Sequence, residues 1–391
     1  MSVTVDREQA LLASICTVAR EVAAPNAEDV DRSARFPAET IDALREERAL
    51  SAFVPTELGG GGVSFETLAR CCFELGRYCG ASAMVFAMHQ IQVVTVVRHL
   101  DQGSWFERYL SELAADQRLI ASVTSEVGTG GDMGRSIAPV TEADNGFCTF
   151  EKQAPTVSYG EYADDLLTTL RRSPDSEQGD QVAVLTRKEQ NTLKPTGTWD
   201  VLGMRGTCSP GYVVSATFPA EQVLSTPFAR IAAESMVPVS HILWSHLWLG
   251  IAEDAFDRAR AFVRAMAKRK PGEPLPVAQK LSRVMSELSL LRAEIDSALR
   301  DFVAASEEPG RERLSTLAAA LRFNNLKIAA SEHAADICRG ALDVCGIMGF
   351  KNDTPFSVGR HLRDTMSAAL MIANERIHET NAGLLLIAKE V

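Results

Sequence analysis

The sequence predicts a mainly α-helical protein with a β domain set into its middle. Three observations carry this. Residues 6–118 place apolar side chains at helical spacing. Residues 119–229 break into short runs rich in β-branched and aromatic residues. From 230 onward the helical period returns, in segments long enough for a bundle. The expected organisation is an N-terminal α-helical domain (1–118), a middle β-barrel domain (119–229) and a C-terminal four-helix bundle (230–391).

In the first part, Leu11, Leu12, Ile15, Val18, Ala19 and Val22 share one helical face until Pro25 and Asn26 break the pattern. Pro37 in "RFPAETIDALREE" suits a first helical turn, and the acidic residues after it favour the positive helix end. "ELGGGGVSFETLARCC" reads as a glycine loop entering a helix with Ser64 as N-cap. Its glycines lack the spacing of a nucleotide-binding motif. In the second part, "LIASVTSE", "GFCTFEKQ", "QVAVLTRK" and "GYVVSATF" read as antiparallel strands, separated by turns such as Asp144-Asn145-Gly146. In the third, "SHILWSHLWLGIAEDAFDRARAFVRAMAKR", "VAQKLSRVMSELSLLRAEIDSALRDFVAA" and "RERLSTLAAALRFNNLKIAASEHAADICRGALDV" are amphipathic helices, and a fourth runs from about Pro355 to the end.

Composition narrows the function. With 391 residues, 46% of them hydrophobic, the chain can bury a sizeable core. A net charge of −11 argues against nucleic acid as a partner, because phosphate backbones need a basic surface. The eight cysteines form no paired Cys-x-x-Cys motif, so no metal site is expected and the thiols suit a reducing compartment. "MSVTVDREQALL" lacks a signal-peptide core, and no apolar run is read as spanning a membrane. A cytoplasmic protein without a membrane partner is the expectation.

Four local motifs then stand in order along the chain: "VTSEVGTGGDMG", "LGMRGTCS", "DVCGIMGF" and "GRHLRDTMSA". Together with the helix, β, bundle order, they resemble the acyl-CoA dehydrogenase family over nearly the whole length. The resemblance implies FAD held between the β domain, the bundle and a neighbouring subunit of a homodimer or homotetramer. It implies flavin contacts at Thr124, Ser125 and Gly130, and at Val157 and Ser158 in "KQAPTVSYGEYAD". It further implies cofactor contacts at Arg269 within "AKRKPGEPLP" and at Gln279, Gly346, Gly349, Asn374 and Arg376. The substrate side would include Gly131, where the family often has serine, together with Ser240, Met371 and Ile372.

The family removes a proton beside a thioester carbonyl while a hydride leaves the next carbon, and that step needs a base within hydrogen-bond reach. Anchored on Arg363-Asp364, the position of the usual glutamate is Ile372. The alternative base position, at the start of the first bundle helix, is Ser240. Three candidates for a substitute base remain. Glu375 lies three residues beyond Ile372, His241 lies beside Ser240, and His89 sits in "VFAMHQIQVV" on a helix that lines the acyl pocket in relatives. The leading expectation is an FAD-dependent dehydrogenase of an acyl thioester, on CoA or an acyl carrier protein, with a protein electron acceptor or oxygen. The alternatives are a flavin monooxygenase on the same fold, which needs no such base, and a catalytically silent subunit.

Overall fold

The computed structural model describes residues 2–269, 271–306 and 310–388. The N-terminal part is helical: α1 (Ser2–Val18), a π turn over Ala19–Ala23, α2 (Ala24–Ser33), α3 (Ala38–Glu46), α4 (Phe65–Gly76), α5 (Gly80–His99) and α6 (Trp105–Asp116). Ser64 caps α4 as expected, its hydroxyl accepting from the Thr67 amide. The loop Gly59–Gly62 packs against the Ala52–Val54 backbone and carries no site. Helix α5 is long and apolar enough to cross a membrane, although the sequence reading found no such run. Its apolarity has another cause: 89% of its most apolar window is buried inside the protein.

The strands follow: β1 (Ile120–Val123), β2 (Thr141–Glu142), β3 (Phe147–Ala154), β4 (Asp165–Arg171), β5 (Gln181–Arg187), β6 (Asn191–Pro195) and β7 (Tyr212–Pro219). They form two sheets, ordered β1-β4-β5 and β2-β3-β7-β6, linked by a bridge between Pro139 and Arg171. The antiparallel expectation holds for every strand pair but one. β1 and β4 run parallel, with Ile120 opposite Asp165, so the barrel is realised as two sheets. Helix α5 packs against β1.

The C-terminal part comprises α7 (Phe228–Ile231), a π turn over Ala232–Met236, α8 (Val237–Arg269), α9 (Val277–Ser306), α10 (Leu317–Cys345), α11 (Ile347–Phe350), α12 (Gly359–Met366) and α13 (Asn374–Leu385). Helices α8, α9 and α10 pack on one another, and α8 also crosses α4. That crossing is close because each helix offers a glycine. A Cβ on Gly76 would strike the Leu247 backbone, and one on Gly250 would strike that of Phe73. The fourth bundle element is not one helix. It stops at Met366 and restarts at Asn374, and this break shapes the site.

Candidate active site

A cavity of about 740 Å³ opens where β1, the loop after it, α5, the start of α8 and the α12–α13 break converge. That size falls within the ~300–1,000 Å³ of small-molecule sites. One wall is hydroxylic: Ser122, Thr124, Ser125, Thr156, Ser158, Thr207 and Ser209 all face it. The hydroxyls are linked, Ser125 Oγ donating to the Thr156 carbonyl at 2.7 Å and Ser209 Oγ to Ser158 Oγ at 2.9 Å. The rest of the lining is largely apolar. Met84, Met88 and Ile91 come from α5, Met236 from the π turn before α8, Trp244 from α8, and Leu370, Met371 and Ile372 from the break. Met133, Met204 and Met366 complete a set of seven lining methionines, out of eleven in the chain.

Three buried networks hold this geometry. The first ties down the loop that carries Ser125, Gly130 and Gly131. Glu126, buried, accepts from Ser136 Oγ (2.7 Å) and from the amides of Ile137 (3.1 Å) and Ala138 (2.7 Å). Its counter-ion is Lys152, fully buried, with Nζ 3.6 Å from the carboxylate and also donating to the Val123 and Thr169 carbonyls. Desolvation pushes the Lys152 ammonium down to about 8. The second network closes the 199–204 loop over the cavity. The Asp364 carboxylate, buried on α12, accepts from the Met204 amide at 2.7 Å, and burial pushes its pKa up to about 6. Neighbouring Arg363 pairs with Asp31 and donates to the Leu202 carbonyl.

The third network is at the helix break. Ile372 has φ +46°, a left-handed conformation that crowds a β-branched side chain. Lys327, on α10 and fully buried, donates from Nζ to the Ile372 carbonyl (3.2 Å) and to Asn374 Oδ1 (2.6 Å). Asn374 in turn donates to Ser331 Oγ and Glu332 Oε1. So a buried cation fixes the turn from behind. Desolvation pushes Lys327 down to about 8. Past the break, Arg376 reaches across the cavity mouth and donates to the Gly130 carbonyl. Gly130 and Gly131 have φ of +63° and +83°, and a Cβ on Gly130 would come within 3.3 Å of the guanidinium. The glycines allow the arginine to lie there.

Residues 5–117 match the acyl-CoA dehydrogenase N-terminal domain and residues 232–375 the acyl-CoA dehydrogenase C-terminal domain. The chain belongs to the acyl-CoA dehydrogenase family. Within it, the chain is 26% identical to a probable FMNH2-dependent monooxygenase, SfnC, of Pseudomonas putida, over 93% of this chain and 92% of that one. Two solved structures share the fold. FMN-bound TdsC from Paenibacillus sp. A11-2 has a TM-score of 0.81 at 19% identity, covering 96% of this chain and 97% of its own. Butyryl-CoA dehydrogenase from Megasphaera elsdenii has a TM-score of 0.81 at 20% identity, covering 97% and 98%.

Of the cofactor positions that the family resemblance assigns, Thr124, Ser125, Gly130, Ser158 and Arg376 line the cavity. Val157 does not. It is fully buried in the core, and its neighbours Thr156 and Ser158 face the cavity in its place, as alternation along an extended segment requires. Asn374 is buried behind the wall, holding Lys327. Arg269, Gln279 and Gly346 are exposed and Gly349 is buried, and none of the four lines the cavity. Lys270 lies outside the described residues. On the substrate side, Gly131, Ser240, Met371 and Ile372 all face the cavity.

The three expected bases are not at the site. The expectation for Glu375 assumed a continuous helix from Ile372. The break removes that register, and Glu375 is exposed in the first turn of α13. His89 is fully buried with both ring nitrogens engaged: Nε2 donates to the Leu50 carbonyl at 2.7 Å and Nδ1 accepts from the Ile120 amide at 3.0 Å. It joins α5 to β1, and desolvation pushes it down to about 4. His241 binds the Phe323 carbonyl through Nδ1, does not line the cavity, and is pushed down to about 3 by burial. Among the described residues that line the cavity there is no Asp, Glu or His.

Sequence reasoning missed the rest of the lining. Met84, Met88, Ile91 and Gln92 lie four, seven and eight positions apart on one face of α5, and the helical period that placed His89 on this helix could have shown that His89 is off that face. Trp199 and Val201 precede the "LGMRGTCS" motif, which begins at Leu202, in a loop that no local pattern marks.

Proposed function

We propose that the protein is a flavin-dependent monooxygenase that acts on a small molecule with reduced flavin and oxygen. One observation carries this reading: a cavity built on the dehydrogenase plan is lined by no residue able to remove an α-proton. Ile372 stands where the family's glutamate is expected, and its side chain adds to an apolar wall. Water exclusion by that wall and by the 199–204 loop suits chemistry in which a reactive oxygen species must not escape.

The residues present fit a flavin. A flat, largely apolar ring needs a dry wall on one side and a few hydrogen-bonding groups along its edge. The methionine side and the hydroxyls of Thr124, Ser125 and Ser158 supply these. Bound there in reduced form, the flavin supplies the electrons that activate oxygen. Thr124, Ser125 and Ser158 would orient its ring, and Arg376 at the mouth would face a phosphate. These residues suffice for flavin mononucleotide. The FAD expectation leans instead on Arg269, Gln279, Gly346 and Gly349, away from the cavity, and on a neighbouring subunit. The reading is supported by the likeness to a probable FMNH2-dependent monooxygenase and to an FMN-bound structure. The electron partner is then a reductase that supplies reduced flavin, and the setting is cytoplasmic, with all eight cysteines free.

The test is direct. Anaerobic addition of a panel of acyl-CoA thioesters to the flavin-loaded protein is expected to leave the flavin band unbleached. Supplied with enzymatically reduced FMN and isotopically labelled oxygen, the protein is expected to place label in an organic product. Rapid bleaching by any thioester would return the protein to the dehydrogenases. Purification without flavin, and no flavin binding, would make it a silent subunit.

A further inference from the structure

We infer that the substrate is an uncharged, flat, largely apolar molecule with one hydrogen-bonding function, and that the cavity accepts a range of ring sizes. The inference rests on the cavity being the reaction site, as proposed above.

The first observation is what the cavity leaves unpaired. Among its described lining residues, three buried polar side-chain atoms have no hydrogen-bond partner: Gln92 Oε1, Trp244 Nε1 and Trp199 Nε1. Gln92 and Trp244 are 2% and 7% exposed and come from α5 and α8, which pack together. A buried acceptor or donor left without a partner is unfavourable. A ligand that fills both recovers that cost. A single hydroxyl or N–H function can donate to Gln92 Oε1, and a hydroxyl can also accept from Trp244 Nε1.

The second observation is charge. Of the two cations in the lining, Arg363 is paired with Asp31, and Arg376, which donates to the Gly130 carbonyl at the mouth, is the one assigned above to the flavin phosphate. Nothing in the α5 and α8 walls neutralises a carboxylate or phosphate, so a charged substrate would lose its hydration uncompensated. The third is sulfur. Methionine is unbranched and polarisable and makes favourable contacts with aromatic rings, so seven of them form a wall that reshapes around flat ligands. Leucine or isoleucine would fix one shape.

Calorimetric titration of the purified protein tests this with 2-naphthol, 2-naphthoate and butyryl-CoA. The expected result is saturable binding of 2-naphthol, at least tenfold weaker binding of 2-naphthoate, and none of butyryl-CoA in the cavity. Phenol, 2-naphthol and 9-phenanthrol are expected to bind progressively more tightly, without a cut-off at one size. Gln92→Leu and Trp244→Phe should each weaken 2-naphthol roughly three- to tenfold. Tighter binding of the carboxylate or the thioester would overturn the inference, as would an affinity unchanged by both substitutions. These titrations need neither reduced flavin nor oxygen. Naphthol binding without oxygenation would therefore sink the proposed reaction and leave the ligand class standing.

Discussion

At Ile372 a single residue decides two things. Its side chain removes the expected base, and its φ of +46° forces the backbone into a turn that ends one helix before the next begins. A β-branched residue holds that conformation only when its surroundings impose it. Here the imposing group is Lys327, whose ammonium donates to two neutral oxygens, with the Glu332 carboxylate acting on it from nearby. Lys327→Met is expected to lower stability by about 2 kcal/mol, because it leaves the Ile372 carbonyl without its side-chain donor and Asn374 Oδ1 with only the longer bond from Ser331 Oγ. It should also weaken substrate binding more than flavin binding, since Ile372 belongs to the apolar wall. Thermal unfolding and separate titrations with FMN and 2-naphthol check this. Equal losses for both ligands would mean that the lysine supports the fold alone. Lys327 went unnoticed in the sequence because "NNLKIAASE" reads as an ordinary amphipathic helix, and nothing local says that its lysine points inwards.

At the level of elements, the loop after β1 carries two hydroxyls of that wall, Thr124 and Ser125, and the Glu126–Lys152 pair secures it. Both side chains are buried, so each depends on the other for charge compensation. Lys152→Met is expected to cost ~3–5 kcal/mol, read as a fall in unfolding midpoint, and to release flavin. A variant that keeps both stability and flavin would show that the three hydrogen bonds to Glu126 suffice without the cation. The elements themselves were largely legible. Ser64 as a cap, the alternation of the strands and the long bundle helices follow from local period and capping chemistry. Two features were not. The parallel pairing of β1 with β4 is a long-range choice that neither strand's sequence records. The α12–α13 break depends on Lys327, some forty residues upstream of it. Glu375 was misplaced for that reason: helical period was extended across a turn that a distant residue creates.

For the whole molecule, the buried histidines set the response to acid. His89, His99, His241 and His361 are held near 4, 4, 3 and 4 by burial, against an ordinary value of about 6.5. Below about pH 6.5 the unfolded chain takes up protons at these sites while the folded chain does not, so stability falls as pH drops towards 4. Asp364 acts in the opposite sense. Its pKa, raised to about 6, lets the folded chain take a proton first and offsets one histidine. A net loss of about 3–4 kcal/mol per pH unit is expected around pH 5. Unfolding midpoints measured from pH 7.5 to pH 5 check it. A flat profile would mean that these histidines are already accessible to water in the native state.

The methionine wall also makes the protein a recorder of its own errors. If oxygen activated in the cavity escapes coupling to a substrate, the nearest oxidisable groups are thioethers, which become sulfoxides. Each sulfoxide would put a polar group into the apolar wall and reduce its grip on flat ligands. Ageing during turnover without substrate should therefore mark Met84, Met88 and Met371 before Met285, which is 47% exposed and lies on α9 outside the cavity. Peptide mass spectrometry reads that order. Addition of peroxide from outside should reverse it, with Met285 oxidised first.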